Sequence, residues 1–89
     1  MSEQVLTINS ENGIHARPAG TFVKVASNFQ SNVSLEFGDR KVNAKSIMNI
    51  MSLGLGHGSE IKLITEGPDE EQALEALTNL VNKNFALEE

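Results

Sequence analysis

The segment Gly13-Ile14-His15-Ala16-Arg17-Pro18-Ala19 sets an imidazole, a guanidinium and a proline within one helical turn of each other. A neutral imidazole keeps one free lone pair, which can attack phosphorus and hold a phosphoryl group covalently. The product carries roughly two negative charges and needs donors close by. Arg17, two residues on, offers a planar fork of N–H groups matched to phosphate. Pro18 suits the first turn of a helix, whose free N–H groups attract anions. His15 precedes that helix rather than falling in an apolar stripe, so it does not read as a core histidine. Singly, His15 and Arg17 are ordinary solvated side chains. With Pro18 at this spacing they describe a place where a phosphoryl group can sit on His15.

Ser46, ahead of Ile47-Met48-Asn49-Ile50-Met51, is a second candidate. As a helix N-cap it contributes about 1 kcal/mol, and a plain cap is the simpler reading. A phosphate on the same hydroxyl would also gain from the helix dipole, so modification there is compatible with the fold. Ile47, Ile50 and Met51 are expected to form the buried stripe of this short helix. Met48 then points elsewhere, as an adaptable contact for a protein partner, and Gly54 supplies the C-terminal cap. His57, in Gly54-Leu55-Gly56-His57-Gly58, receives no role. That glycine-rich stretch lacks the Lys-Ser/Thr of a nucleotide-binding loop. Two histidines with no cysteine and no aligned carboxylate pair argue against a metal site. No cofactor is expected.

The elements that must position these residues follow from periodicity. Residues 5–8 form a strand with Leu6 and Ile8 on one side, and a loop follows over residues 9–13. From Pro18 the spacing of Ala19, Phe22, Val23, Ala26 and Phe29 is helical. Residues 33–37 alternate, and residues 40–44 resume as a strand after Gly38-Asp39, a hairpin signal. Residues 60–65 are the fourth strand, with Ile61 and Leu63 alternating. Gly67-Pro68-Asp69 turns into a last helix, where Asp69 and Gln72 fit an N-cap and its capping-box partner. Leu74, Leu77, Val81 and Phe85 give that helix its apolar stripe. The order strand, helix, strand, strand, helix, strand, helix predicts an α+β fold with a four-stranded sheet and helices on one face.

Composition narrows the possible roles. The 89 residues read as one domain, able to bury roughly 60–65% of its unfolded surface. That supplies one core and little room for a deep cavity, so large partners are expected to meet it at the surface. The absence of cysteine excludes disulfides and thiolate chemistry. No basic end followed by an apolar run opens the chain, and no apolar run reaches membrane-spanning length, so a cytoplasmic soluble protein is expected. The net charge of −5 is unevenly divided. Residues 66–89 hold seven acids against one lysine, a net −6, whereas residues 1–65 hold six basic groups against five acids, a net +1. An acidic total argues against nucleic acid as a partner. The nearly neutral end that carries His15 suits an acidic protein partner.

The first motif, together with Lys45-Ser46-Ile47-Met48-Asn49-Ile50-Met51-Ser52-Leu53-Gly54, resembles HPr, the histidine-containing phosphocarrier family of the bacterial sugar phosphotransferase system. The likeness covers essentially the whole chain, including the spacing between the motifs. It implies an open-faced β-sandwich, a four-stranded antiparallel sheet covered by three helices (βαββαβα). It also implies a carrier rather than an enzyme. Phosphorylated enzyme I would pass a phosphoryl group to Nδ1 of His15, which would donate it to IIA domains of sugar permeases. Arg17 would neutralise charge during transfer, and Pro18 would fix the helix start. Ser46 would be the target of an ATP-dependent HPr kinase/phosphorylase, as in the Gram-positive type. Its phosphorylation would slow transfer at His15 and favour a catabolite-control transcription regulator. Ile47, Met48, Met51 and Gly54 would contact partners. The resemblance further implies a monomer with no membrane insertion. Purely regulatory relatives lack the active histidine, which His15 argues against. Two departures stand out: Gly20, early in the first helix, where about 1 kcal/mol of helix propensity is given up, and Asn49, where the Gram-positive type frequently has glycine.

Overall fold

In a computed structural model, which describes residues 1–11 and 13–85, the chain runs β1 (Ser2–Thr7), α1 (Ala16–Ala26), β2 (Asn32–Phe37), β3 (Arg40–Asn43), α2 (Ile47–Met51), β4 (Glu60–Glu66) and α3 (Glu70–Asn82). Asn12, in the predicted loop, and the acids Glu88 and Glu89 lie outside the described residues. The strands pair in the order β1-β4-β2-β3, every pair antiparallel. β4, the last strand in sequence, therefore sits between β1 and β2. Its register sets Leu6 opposite Ile61 and Leu35 opposite Leu63. Alternation turns these residues to one face, where they pack with Phe22, Ile50, Leu77 and Val81 from the helices. The result is the expected α+β arrangement, an open-faced four-stranded antiparallel sheet with three helices.

Local deviations have physical causes. β1 begins three residues before the predicted strand because its ladder with β4 runs from Ser2 opposite Thr65 to Thr7 opposite Glu60. Gly38-Asp39 is the two-residue turn of the β2–β3 hairpin, closed by Phe37 opposite Arg40. In α2 the expected stripe is corrected. Ile50 alone is buried, while Ile47 and Met51 are 41% and 43% exposed and Met48 is 81% exposed. Five residues make less than a turn and a half, so only one side chain can face the sheet squarely. In α3 the buried residues are Ala73, Leu77, Leu80 and Val81, and Leu74 is half-buried. The helix ends at Asn82, so the expected continuation to Phe85 is also corrected, although the Phe85 ring is buried.

Asp69 occupies the N-cap position of α3, but it does not cap that helix and Gln72 is not its partner. Its carboxylate accepts from the Gln30 and Ser31 backbone N–H groups, at 3.0 and 2.9 Å, and from the buried Ser31 hydroxyl. Three donors from the turn before β2 outcompete the helix amides, and they hold the Asp69 carboxyl below its usual range, the Ser31 hydroxyl most strongly. The neighbouring Glu70 accepts from the Ser2 hydroxyl at 2.6 Å, pairs with the Met1 amino group at 3.0 Å, and accepts from the Gly67 N–H. These donors, Ser2 first, lower its carboxyl from 4.5 to about 2.

A carboxyl depressed on folding stabilises the native state above its unfolded pKa and loses that contribution as pH falls through the folded value. The Glu70 contribution is therefore complete above 4.5 and disappears on the way down to about 2. Glu70→Gln is expected to lower the urea midpoint at neutral pH and to flatten its fall across that window relative to the parent. Parallel midpoint-versus-pH curves for the two proteins would show that Glu70 makes no such contribution.

Candidate functional site

The position of His15 is set by the two residues before it. Ile14 is buried, and its N–H donates to the Leu55 carbonyl at 2.9 Å, tying this turn to the segment after α2. That approach requires glycine at position 13. Gly13 has φ +68, and a Cβ there would collide with the Leu55 carbonyl oxygen and lie 2.7 Å from the Gly56 Cα. With Ile14 fixed, His15 takes the extended conformation of an N-cap (φ −115, ψ −165), and α1 starts at Ala16. The helix thus begins two residues before Pro18, which becomes its third residue. There its missing N–H still costs nothing, because the first backbone bond of the helix is Ala19 N–H to the His15 carbonyl at 3.0 Å.

The N–H groups of Ala16 and Arg17 consequently have no intrahelical acceptor, and they open beside the imidazole. His15 and Arg17 are both exposed, and neither side chain has a hydrogen-bond or ion-pair partner among the described residues. An open depression of about 270 Å³ joins them to the end of α3. His15, Arg17, Pro18 and Thr21 line it from α1, Ser10 and Glu11 from the preceding loop, and Asn84 and Phe85 from beyond α3. The site is a surface depression, as the size of the chain leads one to expect. Among the described residues no three His, Cys, Asp or Glu side chains converge on a common point.

Sequence reasoning missed Asn84 and Phe85. α3 closes in a Schellman motif, with Asn84 N–H bonded to the Val81 carbonyl at 3.0 Å and Phe85 N–H to the Leu80 carbonyl at 2.8 Å. Both residues take positive φ, 56° and 65°. The available signal was asparagine just after the apolar run, a common substitute for glycine at this position. It was hidden by Phe85, which falls four residues after Val81 and so continues the helical period.

Ser46 caps α2 as the sequence predicts, its Oγ accepting from the Asn49 N–H at 3.3 Å. Asn49 adds a second tie, from Nδ2 to the Asn43 carbonyl at 3.4 Å. Arg40, another residue without a sequence signal, closes the opposite end by donating to the Ser52 carbonyl at 2.6 Å and the Ser52 hydroxyl at 3.1 Å. α2 lies against α1. A Cβ on Gly20 would meet only Ile47 Cδ1, at 3.8 Å, so alanine would fit and glycine is not needed for space there. Ile47, Met48 and Met51, with Gly54 beyond them, form an exposed apolar patch next to the helix that starts at His15.

A family model described as the PTS HPr component phosphorylation site matches residues 2–83. The chain belongs to the HPr family. Its relatives include the HPr-like protein Crh of Halalkalibacterium halodurans, 48% identical over 83 residues, which are 93% of this chain and 99% of that protein. The crystal structure of HPr-C-His from Thermoanaerobacter tengcongensis matches with a TM-score of 0.93 at 48% identity, over 100% of both chains. Crh from Bacillus subtilis, crystallised as a domain-swapped dimer, matches with a TM-score of 0.77 at 44% identity, over 98% of this chain and 100% of that one. This HPr-family chain therefore shares its whole fold with proteins of both the HPr and the Crh kind.

Gly13→Ala is expected to cost more than about 2 kcal/mol, because a left-handed alanine adds strain to the backbone collision. Amide exchange at Ile14 should speed up in step with the fall in urea midpoint. Gly56→Ala, where a Cβ meets nothing within 4 Å, should leave both unchanged. Slow exchange at Ile14 in Gly13→Ala would show that the turn accommodates the methyl group.

Proposed function

We propose that this chain is a phosphocarrier of the sugar phosphotransferase system, taking a phosphoryl group on His15 from phosphorylated enzyme I and giving it to IIA domains of sugar permeases. The observation that carries this reading is an exposed imidazole at the N-cap of α1 beside an exposed Arg17, neither with a side-chain partner among the described residues. In the transfer, the bond from phosphorus to the donor breaks as a bond to Nδ1 of His15 forms. Arg17 and the Ala16 and Arg17 amides receive the oxygens. Pro18 holds the first turn that presents them. No further base, metal or nucleotide is required, so the chain acts as a stoichiometric relay in the cytoplasm and not as an enzyme. All of these groups belong to one chain, which supports a monomer as the working unit. Dimers are reported for Bacillus subtilis Crh and for HPr of Thermoanaerobacter tengcongensis, and they bear against that expectation.

Incubation with enzyme I and phosphoenolpyruvate is expected to give an acid-labile, base-stable phosphate on His15, absent in His15→Ala. Arg17→Ala should slow transfer about tenfold or more, with Arg17→Lys in between, because lysine keeps the charge but loses the fork. Labelling that survives His15→Ala would sink the carrier role.

Ser46 is assigned the regulatory phosphorylation, by an ATP-dependent HPr kinase/phosphorylase, with a catabolite-control transcription regulator as the partner of that form. Its accessible cap geometry and the neighbouring apolar patch of Ile47, Met48, Met51 and Gly54 support one docking face for donors, acceptors and regulators. The closeness to Crh gives weight to catabolite control. Crh lacks the active-site histidine, whereas this chain has one, which favours a carrier that is also regulated. Ser46→Asp is expected to slow transfer from enzyme I about tenfold, since a negative charge on the docking face opposes an acidic partner. An unchanged rate would remove the regulatory role.

A further inference from the structure

The depression at His15 has a second wall that the transfer described above leaves unused. Asn84 and Phe85 line it from the end of α3. The Schellman motif needs a left-handed residue at position 84, and glycine meets that need without strain. Asparagine adds a carboxamide to which the cap gives no task. Asn84 is exposed, and its side chain has no hydrogen-bond partner among the described residues. Its backbone is nonetheless firmly placed, because Phe85 is held at φ 65° by its buried ring and its 2.8 Å bond to Leu80. Two successive left-handed residues without glycine are costly and persist only where the surroundings dictate them. Here they deliver a neutral N–H donor to the same depression as the imidazole. Among the described residues, the one carboxylate lining it is Glu11 and the one guanidinium is Arg17. A phosphoryl group entering this space therefore meets a single cation among the described residues, and a neutral donor opposite adds hydrogen bonding without adding charge.

We infer that Asn84 is a positioning residue for the phosphorylated state, its carboxamide donating to an oxygen of the phosphoryl group on His15. This rests on His15 being the acceptor. Such a bond favours the dianion, so it lowers the second pKa of the phosphoryl group and slows its hydrolysis. Position 84 permits a clean comparison, because asparagine, aspartate and glycine all tolerate the left-handed conformation.

The test is to phosphorylate the full chain and its Asn84→Gly and Asn84→Asp variants with phosphoramidate. The small donor loses ammonia as its P–N bond is replaced by the one to His15, so no protein partner enters the measurement. Phosphorus NMR then follows the titration of the phosphoryl group and its hydrolysis. In Asn84→Gly the phosphoryl pKa is expected to rise by about half a unit and hydrolysis to quicken about threefold, as for one charge-assisted hydrogen bond near solvent. Asn84→Asp should shift both further in the same direction, with the extra part screened away at high salt. Thermal unfolding should show both variants folded, with Asn84→Gly at least as stable as the parent. Equal titration and hydrolysis in all three proteins would overturn the role of Asn84 while leaving His15 as acceptor. Failure of the parent to form a phosphohistidine at His15 would overturn both readings.

Discussion

Ile14 can donate its N–H to the Leu55 carbonyl only because Gly13 brings no side chain between the two backbones. This close approach joins Ile14 to Leu55, 41 positions on, and the geometry of the candidate site depends on it. It buries Ile14, sets the extended backbone of His15, and thereby fixes where α1 begins. It also pins the segment after α2, so that the Ser46 helix and the His15 helix share one support. Loop closure over such a separation is entropically unfavourable. The sheet offsets that cost, because β1, which precedes the Ile14 segment, and β4, which follows the Leu55 segment, are paired over six residues.

Two helix ends then meet at one place. α1 contributes its first turn, with amides that have no intrahelical acceptor and the positive end of its dipole, and α3 contributes the Schellman turn of Asn84 and Phe85. Neither end is assembled for its own stability. His15 is a poor N-cap that makes no side-chain capping bond, where serine or aspartate would contribute about 1 kcal/mol. Phe85 carries a positive φ that a bulky residue avoids. Local rules are broken on both sides of the same depression, while Ser46, a little over one helix away, obeys them.

The local structure of the candidate site residues was legible because its information is local. His15, Arg17 and Pro18 declare a helix start by type and spacing, and Ser46 declares a cap. The strands were legible for the same reason, since alternation needs only a few residues. What escaped depends on partners distant in sequence. Asp69 looks like an N-cap until Gln30 and Ser31 arrive with three donors from across the fold. The stripe of α2 fails because five residues cannot distinguish a buried face from a flank, and the sheet accepts only Ile50. The end of α3 fails because Phe85 is in phase with the helix yet reaches the core through a reversed turn. The wall of the depression opposite His15 was invisible for that reason.

The openness of the site suits a carrier better than a deeper one would. A group that must be taken from one protein and surrendered to another has to be held with modest free energy, since each additional charge-assisted hydrogen bond, even near solvent, shifts the transfer equilibrium by about threefold or more. In the proposed carrier, one guanidinium, two helix amides and a neutral carboxamide would orient a dianion in partial contact with water, where their attraction is moderated. A buried site with a second cation would retain the phosphoryl group. The charge distribution has the same logic: the acidic excess lies in residues 66–89, and residues 1–65, which bear His15, stay close to neutral. In the proposed relay, donor and acceptor proteins would approach the exposed patch beside α1 in turn, each adding from its own surface the charge that the carrier withholds. On this reading the weakness of the isolated site is what lets the phosphoryl group leave.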